Sequence, residues 1–214
     1  NVPSTESNAF EGLDLEFATL HVPAGSVERY RTIEPWSSFR NIFAISTEVE
    51  INGINYELNG EAKQATVVAK SSGKYSDEVI IPESVTHDET AYSVTGIGKE
   101  AFKFCSDLTS VTIGNSVTSI GYQAFCYCSG LTSVTIPNSV TSIGDAAFAL
   151  CSDLTSVTIG NGVESIGQLA FSKCPKLTDV YCYAEKVPST ESNAFEDSCP
   201  EYATLHVPAG SIES

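Results

Sequence analysis

The pattern Ile-Gly-x-x-Ala-Phe occurs four times, and its phenylalanines, Phe102, Phe125, Phe148 and Phe171, stand 23 residues apart. Read from Ile97, Ile120 and Ile143, the segments overlay as IGKEAFKFCSDLTSVTIGNSVTS, IGYQAFCYCSGLTSVTIPNSVTS and IGDAAFALCSDLTSVTIGNGVES, and a fourth from Ile166 diverges after Leu177. A unit this short cannot bury its own apolar face, so in-phase copies must stack on one another as a solenoid. This recurrence sets the fold class: a β-rich repeat solenoid with a 23-residue period, a parallel sheet and short helical turns.

Within one unit, Leu131-Thr-Ser-Val134-Thr-Ile136 has leucine-rich-repeat spacing and ends in alternation, which predicts a short strand with Val134 and Ile136 inward and Ser133 and Thr135 outward. Pro137-Asn138, or Gly114-Asn115 and Gly160-Asn161, then turns the chain. Val140 to Gly144 reads as a second extended piece, and Asp145-Ala-Ala-Phe148 as one helical turn with Asp145 as N-cap. Each rung thus adds one strand to a parallel sheet, and Phe102, Phe125, Phe148, Phe171 and Phe195 form one buried column.

These segments resemble the BspA-like leucine-rich repeat of surface proteins from anaerobic gut and oral bacteria. The likeness covers Ile97 to about Lys186, and HVPAGSVERYRTIEPWSSFRNI resembles the end unit that closes such arrays. The resemblance implies a bacterial cell-surface, extracellular location and a role in adhesion or protein binding, with a host or bacterial surface protein or glycan as partner. It carries over no catalytic residues.

A longer repeat overlies the short one. Val2 to Glu28 returns at Val187 to Glu213, differing only at Gly12, Leu13, Asp14, Leu15, Phe17 and Val27. Residues 1–45 therefore read as the end unit of a preceding array, 46–96 as a β-rich opening unit with an atypical first repeat, 97–186 as the repeats proper and 187–214 as a truncated end unit. The expectation is a piece of a longer protein of tandem arrays, whose uncovered ends favour end-to-end self-association. In the opening unit, residues 51–58, 65–69 and 78–81 read as strands, and Thr86 to Tyr92 as a hairpin inserted in the first repeat.

Composition narrows function. The net charge of −16 disfavours nucleic acid and anionic membranes, and no basic stripe exists to read phosphates. From Phe104 through Ser172 there is no Lys or Arg, and Asp107, Asp145, Asp153 and Glu164 are the only acids, so the array presents a Ser/Thr/Asn surface. No stretch approaches the roughly 18 apolar residues of a membrane span, and no basic-then-apolar leader is present.

The cysteines admit three readings. Cys105, Cys128, Cys151 and Cys174 each follow a repeat Phe by three residues, and Cys199 follows Phe195 by four. Stacked at a strand spacing of roughly 4.8 Å, they suit a column of buried thiols better than inter-rung disulfides, whose Cβ atoms lie closer. No second Cys pair or His pair completes a zinc set, so no metal site is expected. Cys182 falls at the position of Ile136 and reads as core. His21 and His206 occupy the same position in the two end units, between Leu20 and Val22 and between Leu205 and Val207, and read as solvent-facing strand residues with those neighbours inward. No nucleophile elbow, phosphate loop or calcium motif is found, so no catalytic residue and no cofactor is assigned. A parallel β-helix enzyme acting on polysaccharide would need carboxylates or a basic group clustered on a sheet face, where this chain has Ser and Thr. Affinity in a solenoid comes from residues that break the repeat. The fourth unit does so at Leu177-Thr-Asp179-Val-Tyr181-Cys-Tyr183, making Asp179, Tyr181 and Tyr183 the candidate ligand-binding patch of a binding module. The alternative is a structural spacer in a longer surface protein.

Overall fold

A computed structural model describes every residue except 1, 5–7, 24–25, 46, 199–200 and 209–214. The chain opens with β1 (Thr19–Pro23), α1 (Val27–Thr32) and β2 (Asn41–Ile45), the two strands pairing in parallel with Thr19 opposite Asn41. Val22, Val27, Tyr30 and Ile42 form a small core of their own, edged by Trp36 and Phe39. Phe10 packs edge-on against both of those rings at 5.0 Å.

β3 (Thr47–Ile51), β4 (Ile54–Asn59) and β5 (Gln64–Val68) follow as an antiparallel meander. The alternation from Ile51 to Leu58 does not run as one strand, as expected from sequence. Asn52 and Gly53, at φ +52° and +80°, fold it into a two-residue hairpin, the turn that Asn-Gly favours because both residues tolerate positive φ. β6 (Asp77–Ile81) begins the solenoid, and β7 (Ser84–His87) with β8 (Thr90–Ile97) forms the hairpin expected within the first repeat.

Each rung then contributes one long and one short strand: β9 (Leu108–Ile113) and β10 (Ser119–Ile120), β11 (Ser133–Ile136) and β12 (Ser142–Ile143), β13 (Ser156–Ile159) and β14 (Ser165–Ile166), β15 (Asp179–Cys182) and β16 (Ser189–Thr190). β17 (Thr204–His206) adds the last long strand. β11, β13, β15 and β17 pair in parallel, the first three in strict repeat register, Val134 opposite Val157 and Val157 opposite Val180. The short strands run in a second sheet, β16-β14-β12-β10-β8, continued by β5, β4 and β3. Among the described residues no helix is long and apolar enough to cross a membrane.

The motif residues meet where the rungs stack. Phe102, Phe125, Phe148 and Phe171 are fully buried, with successive centroids 4.8, 4.9 and 5.3 Å apart and planes within 4° of parallel. Phe195 extends the column at 5.1 Å but is only partly buried. Tyr75 closes the other end, 4.6 Å from Phe102, its hydroxyl accepting from the Asn55 N–H and donating to the Val68 carbonyl. The glycine after each Ile is needed for approach: a Cβ on Gly144 would fall 2.8 Å from the Gly121 carbonyl carbon.

The segment from that glycine to the cysteine is not a helical turn. Ala146 and Leu150 have φ of +52° and +62°, and Glu100, Phe104, Gln123, Tyr127, Leu169 and Lys173 repeat the same left-handed rhythm. Alternate amides reach the next rung, Phe102 N–H to the Ala124 carbonyl and Phe125 N–H to the Ala147 carbonyl, both at 2.7 Å. The amides between close three-residue turns, as Cys105 N–H does on the Phe102 carbonyl. Inter-rung bonding therefore overrides the helical propensity of Asp145-Ala-Ala.

The described cysteines are free thiols, and the column is buried. Cys128, Cys151 and Cys174 each donate Sγ–H to the Phe carbonyl one repeat earlier, those of Phe102, Phe125 and Phe148, at 3.1 to 3.2 Å. Burial pushes the Cys174 thiol up to about 11 and raises the Cys128 and Cys151 thiols well above the ordinary thiol range. Cys199 lies outside the described residues, and the next place in the column belongs to Ser198, whose hydroxyl donates to the Phe171 carbonyl at 2.6 Å. Cys182 is half-buried against the core.

Candidate functional site

Strand alternation puts Val180 in the core and turns Asp179 and Tyr181 outward on β15, where the preceding rungs carry Ser156 and Thr158. β17 pairs alongside with His206 opposite Tyr181. The two rings stack 4.2 Å apart and 9° from parallel, and His206 Nε2 lies 3.2 Å from Asp179 Oδ1. An ionised carboxylate only accepts, so this bond requires the proton on Nε2. The hydroxyl of Thr178 donates to Asp179 Oδ2 at 2.9 Å, and this bond, followed by that from His206, holds the Asp179 carboxyl below its ordinary range.

The structure therefore unites Asp179 and Tyr181 and adds His206, which sequence reasoning placed correctly on the solvent side of a strand but not in the patch. Its distance of 25 residues from Tyr181, not 23, hid the pairing. Leu205, expected to point inward, is 64% exposed, because β17 is the outermost strand of its sheet among the described residues.

Tyr183 is not part of that ring stack. It is exposed beyond the end of β15 and lines a groove of about 860 Å³ with Ser110, Thr112, Ser133, Thr135, Pro137, Asn138 and Asn161. The groove follows a seam in the long-strand sheet, where β9 pairs with β6 and not with β11. At the end of this strand, Gly160 N–H reaches the Ile136 carbonyl at 3.0 Å and Tyr183 N–H the Ile159 carbonyl at 2.9 Å. Pro137 has no N–H to offer Ile113, so the ladder lacks its closing bond at that rung. Apart from tyrosine, the groove offers hydroxyls and amides and no ionisable side chain.

Among the described residues no group of three or more His, Cys, Asp or Glu side chains converges as a metal set. The Asp179–His206 pair orders a ring stack on an open sheet face.

Stacked rungs with one long strand each, a phenylalanine ladder and leucines at fixed spacing define a leucine-rich-repeat solenoid. The BspA type leucine rich repeat region matches residues 77–213 in six copies, and the chain belongs to that family. Curated proteins include no match. Among solved structures, the pneumococcal vaccine antigen PcpA aligns with a TM-score of 0.58 at 19% identity, over 78% of this chain and 51% of that one, so the chain spans about half its length. The T. pallidum leucine-rich repeat protein TpLRR gives 0.50 at 21% identity over 63% and 71%. A leucine-rich repeat protein from Bacteroides capillosus gives 0.47 at 26% identity over 76% and 99%.

Proposed function

We propose that this chain is a non-catalytic binding module of a bacterial cell-surface protein, and that its long-strand sheet engages a protein or glycan on a host or bacterial surface. The observation that carries this reading is the Tyr181–His206 stack on an otherwise uniform Ser/Thr face. Two flat rings ordered by Asp179 supply contact area at low entropic cost, as rigid aromatics do at binding hot spots. Membership of the BspA-type family supports the surface location, and one structural relative is a vaccine antigen. A glycan array and a pull-down from host-cell surface extract test it, with a Tyr181→Ala/Tyr183→Ala chain as control. Specific capture by the unmodified chain that the variant loses is the expected result; capture unchanged in the variant refutes the patch. The uncharged face of β9, β11 and β13 favours a second reading, a spacer, and absence of any ligand in both assays would decide for it.

A further inference from the structure

A separate surface lies on the turn side of the first two rungs, where exposed rings meet lysines. Phe104 and Tyr127 occupy equivalent positions on successive rungs and stack 4.8 Å apart. They are 51% and 43% exposed. Both have left-handed backbones, with φ of +62° and +63°, which bulky side chains rarely adopt and Asn or Gly adopts with less strain. The rings are thus held at a conformational cost without the burial that would offset it. Tyr122 on the second rung is also exposed.

Three lysines surround the rings. Lys103 and Lys74 Nζ lie 5.4 and 5.9 Å from the Phe104 ring centre, and Lys99 Nζ lies 5.5 Å from that of Tyr122. Lys74 is fixed by donating to the Lys103 carbonyl at 2.9 Å, and Lys103 by Glu100 at 2.7 Å. Three cations against Glu100 leave a local positive excess, in a chain of 11 cationic and 27 acidic side chains. The next charge in the Lys99 and Tyr122 column is Asp145, which accepts the Gln168 N–H.

The amides of Glu100, Phe102 and Phe104 donate to the second rung, and those of Ala101, Lys103 and Cys105 close turns. An extended peptide finds none of these amides free to pair with, and the exposed groups of this face are aromatic rings and ammonium groups. A hexose bearing an acid group presents both complements: a flat C–H face for the aromatic ring and a carboxylate or sulfate for lysine. We propose that Phe104, Tyr122 and Tyr127, with Lys74 and Lys99, form a platform for an acidic oligosaccharide. The −16 net charge of the chain is screened beyond about 8 Å at physiological salt, which admits a short ligand and repels a long polyanion.

The test is calorimetric titration of the full chain with a heparin-derived hexasaccharide, an oligogalacturonate of equal length, neutral cellohexaose and a hexaglutamate peptide. The expected result is binding of one or both acidic saccharides, weakened by added salt, with the neutral sugar and the peptide at least tenfold weaker. Phe104→Asn/Tyr127→Asn suits the left-handed backbone, so it should abolish binding while leaving the thermal midpoint in place. Lys74→Gln/Lys99→Gln should weaken binding at least tenfold and flatten its salt dependence. Tyr181→Ala/Tyr183→Ala should bind as the unmodified chain does, which separates this site from the sheet-face patch. No binding of either acidic saccharide, equal binding of the peptide or neutral sugar, or full affinity in Phe104→Asn/Tyr127→Asn would each overturn the proposal.

Discussion

Replacing Phe148 by Ala tests the central claim that the ring column couples the rungs. Phe148 is fully buried between Phe125 at 4.9 Å and Phe171 at 5.3 Å. Truncating a buried Phe costs about 3–5 kcal/mol through lost transfer energy and the cavity left behind, and each parallel ring neighbour adds roughly 0.5–1.5 kcal/mol beyond area. Phe195 is partly buried and stacks on Phe171 alone, so Phe195→Ala should cost about 1–2 kcal/mol. In a solenoid whose stability is a sum of unit and nearest-neighbour terms, the internal lesion also loses both its interfaces and the terminal one a single interface. The assay is urea unfolding followed by circular dichroism, with Phe148→Leu as a third variant that keeps most apolar volume and should lose about 1–2 kcal/mol. A central loss near 4 kcal/mol corresponds to a drop of roughly 8–16 °C in thermal midpoint. Equal losses for Phe148→Ala and Phe195→Ala, within about 1 kcal/mol, would refute the reasoning.

The thiol column predicts chemistry as well as packing. Iodoacetamide at pH 8 should modify Cys128, Cys151 and Cys174 only after denaturation, as read by peptide mass mapping, and rapid native labelling at any of them would contradict burial. These folded-state pKa values lie above the unfolded value of about 8.5. The stability they contribute is complete below that pH and is lost above it, by about 1.4 kcal/mol per thiol per pH unit until the folded pKa is reached. Urea midpoints at pH 7, 9 and 10 should therefore fall in that order. Tyr75→Phe removes the acceptor of the buried Asn55 N–H and should cost about 1–3 kcal/mol; a change below about 0.5 kcal/mol would show that the bridge is dispensable. Exposed Phe43, Ile45 and Leu205 on the outer strands β2 and β17 lead us to expect concentration-dependent association in light scattering, and a strictly monomeric chain would remove that expectation.

The period, the strand register and the Phe and Cys columns were legible because a repeat protein writes its lattice into sequence spacing. What failed to show was set by contacts between rungs or between distant segments. The left-handed rhythm at Ala146 and Leu150 arises from amides reaching the next rung, which a local reading of Asp145-Ala-Ala cannot see. The Asn52-Gly53 hairpin was available from the dipeptide itself, but apolar alternation on both sides of it masked the turn. Pro137 reads locally as a turn residue, and its missing N–H matters only once Gly160 and Tyr183 show what that N–H does elsewhere. His206 and Lys74 entered their surfaces from other units, at offsets outside the 23-residue frame.

The turn-side amides have one more consequence. Phe104 N–H donates to the Cys126 carbonyl, Tyr127 N–H to Ala149, Leu150 N–H to Ser172 and Lys173 N–H to Glu196. Each acceptor shares a peptide group with the next donor, so the dipoles line up head to tail, as they do along an α-helix but across turns of a solenoid. A parallel chain runs from Phe102 to the Ala194 carbonyl. All these arrows point toward later rungs. One end of the turn face is therefore a carbonyl pole, where Lys74 sits on the Lys103 oxygen. The other is an amide pole at Phe195 and Asp197, with Glu191, Glu196 and Asp197 in that last turn. The turn face thus carries a single polarity from the first rung to the last. Lengthening by repeat duplication preserves the polarity, whereas two copies meeting pole to like pole would oppose their fields.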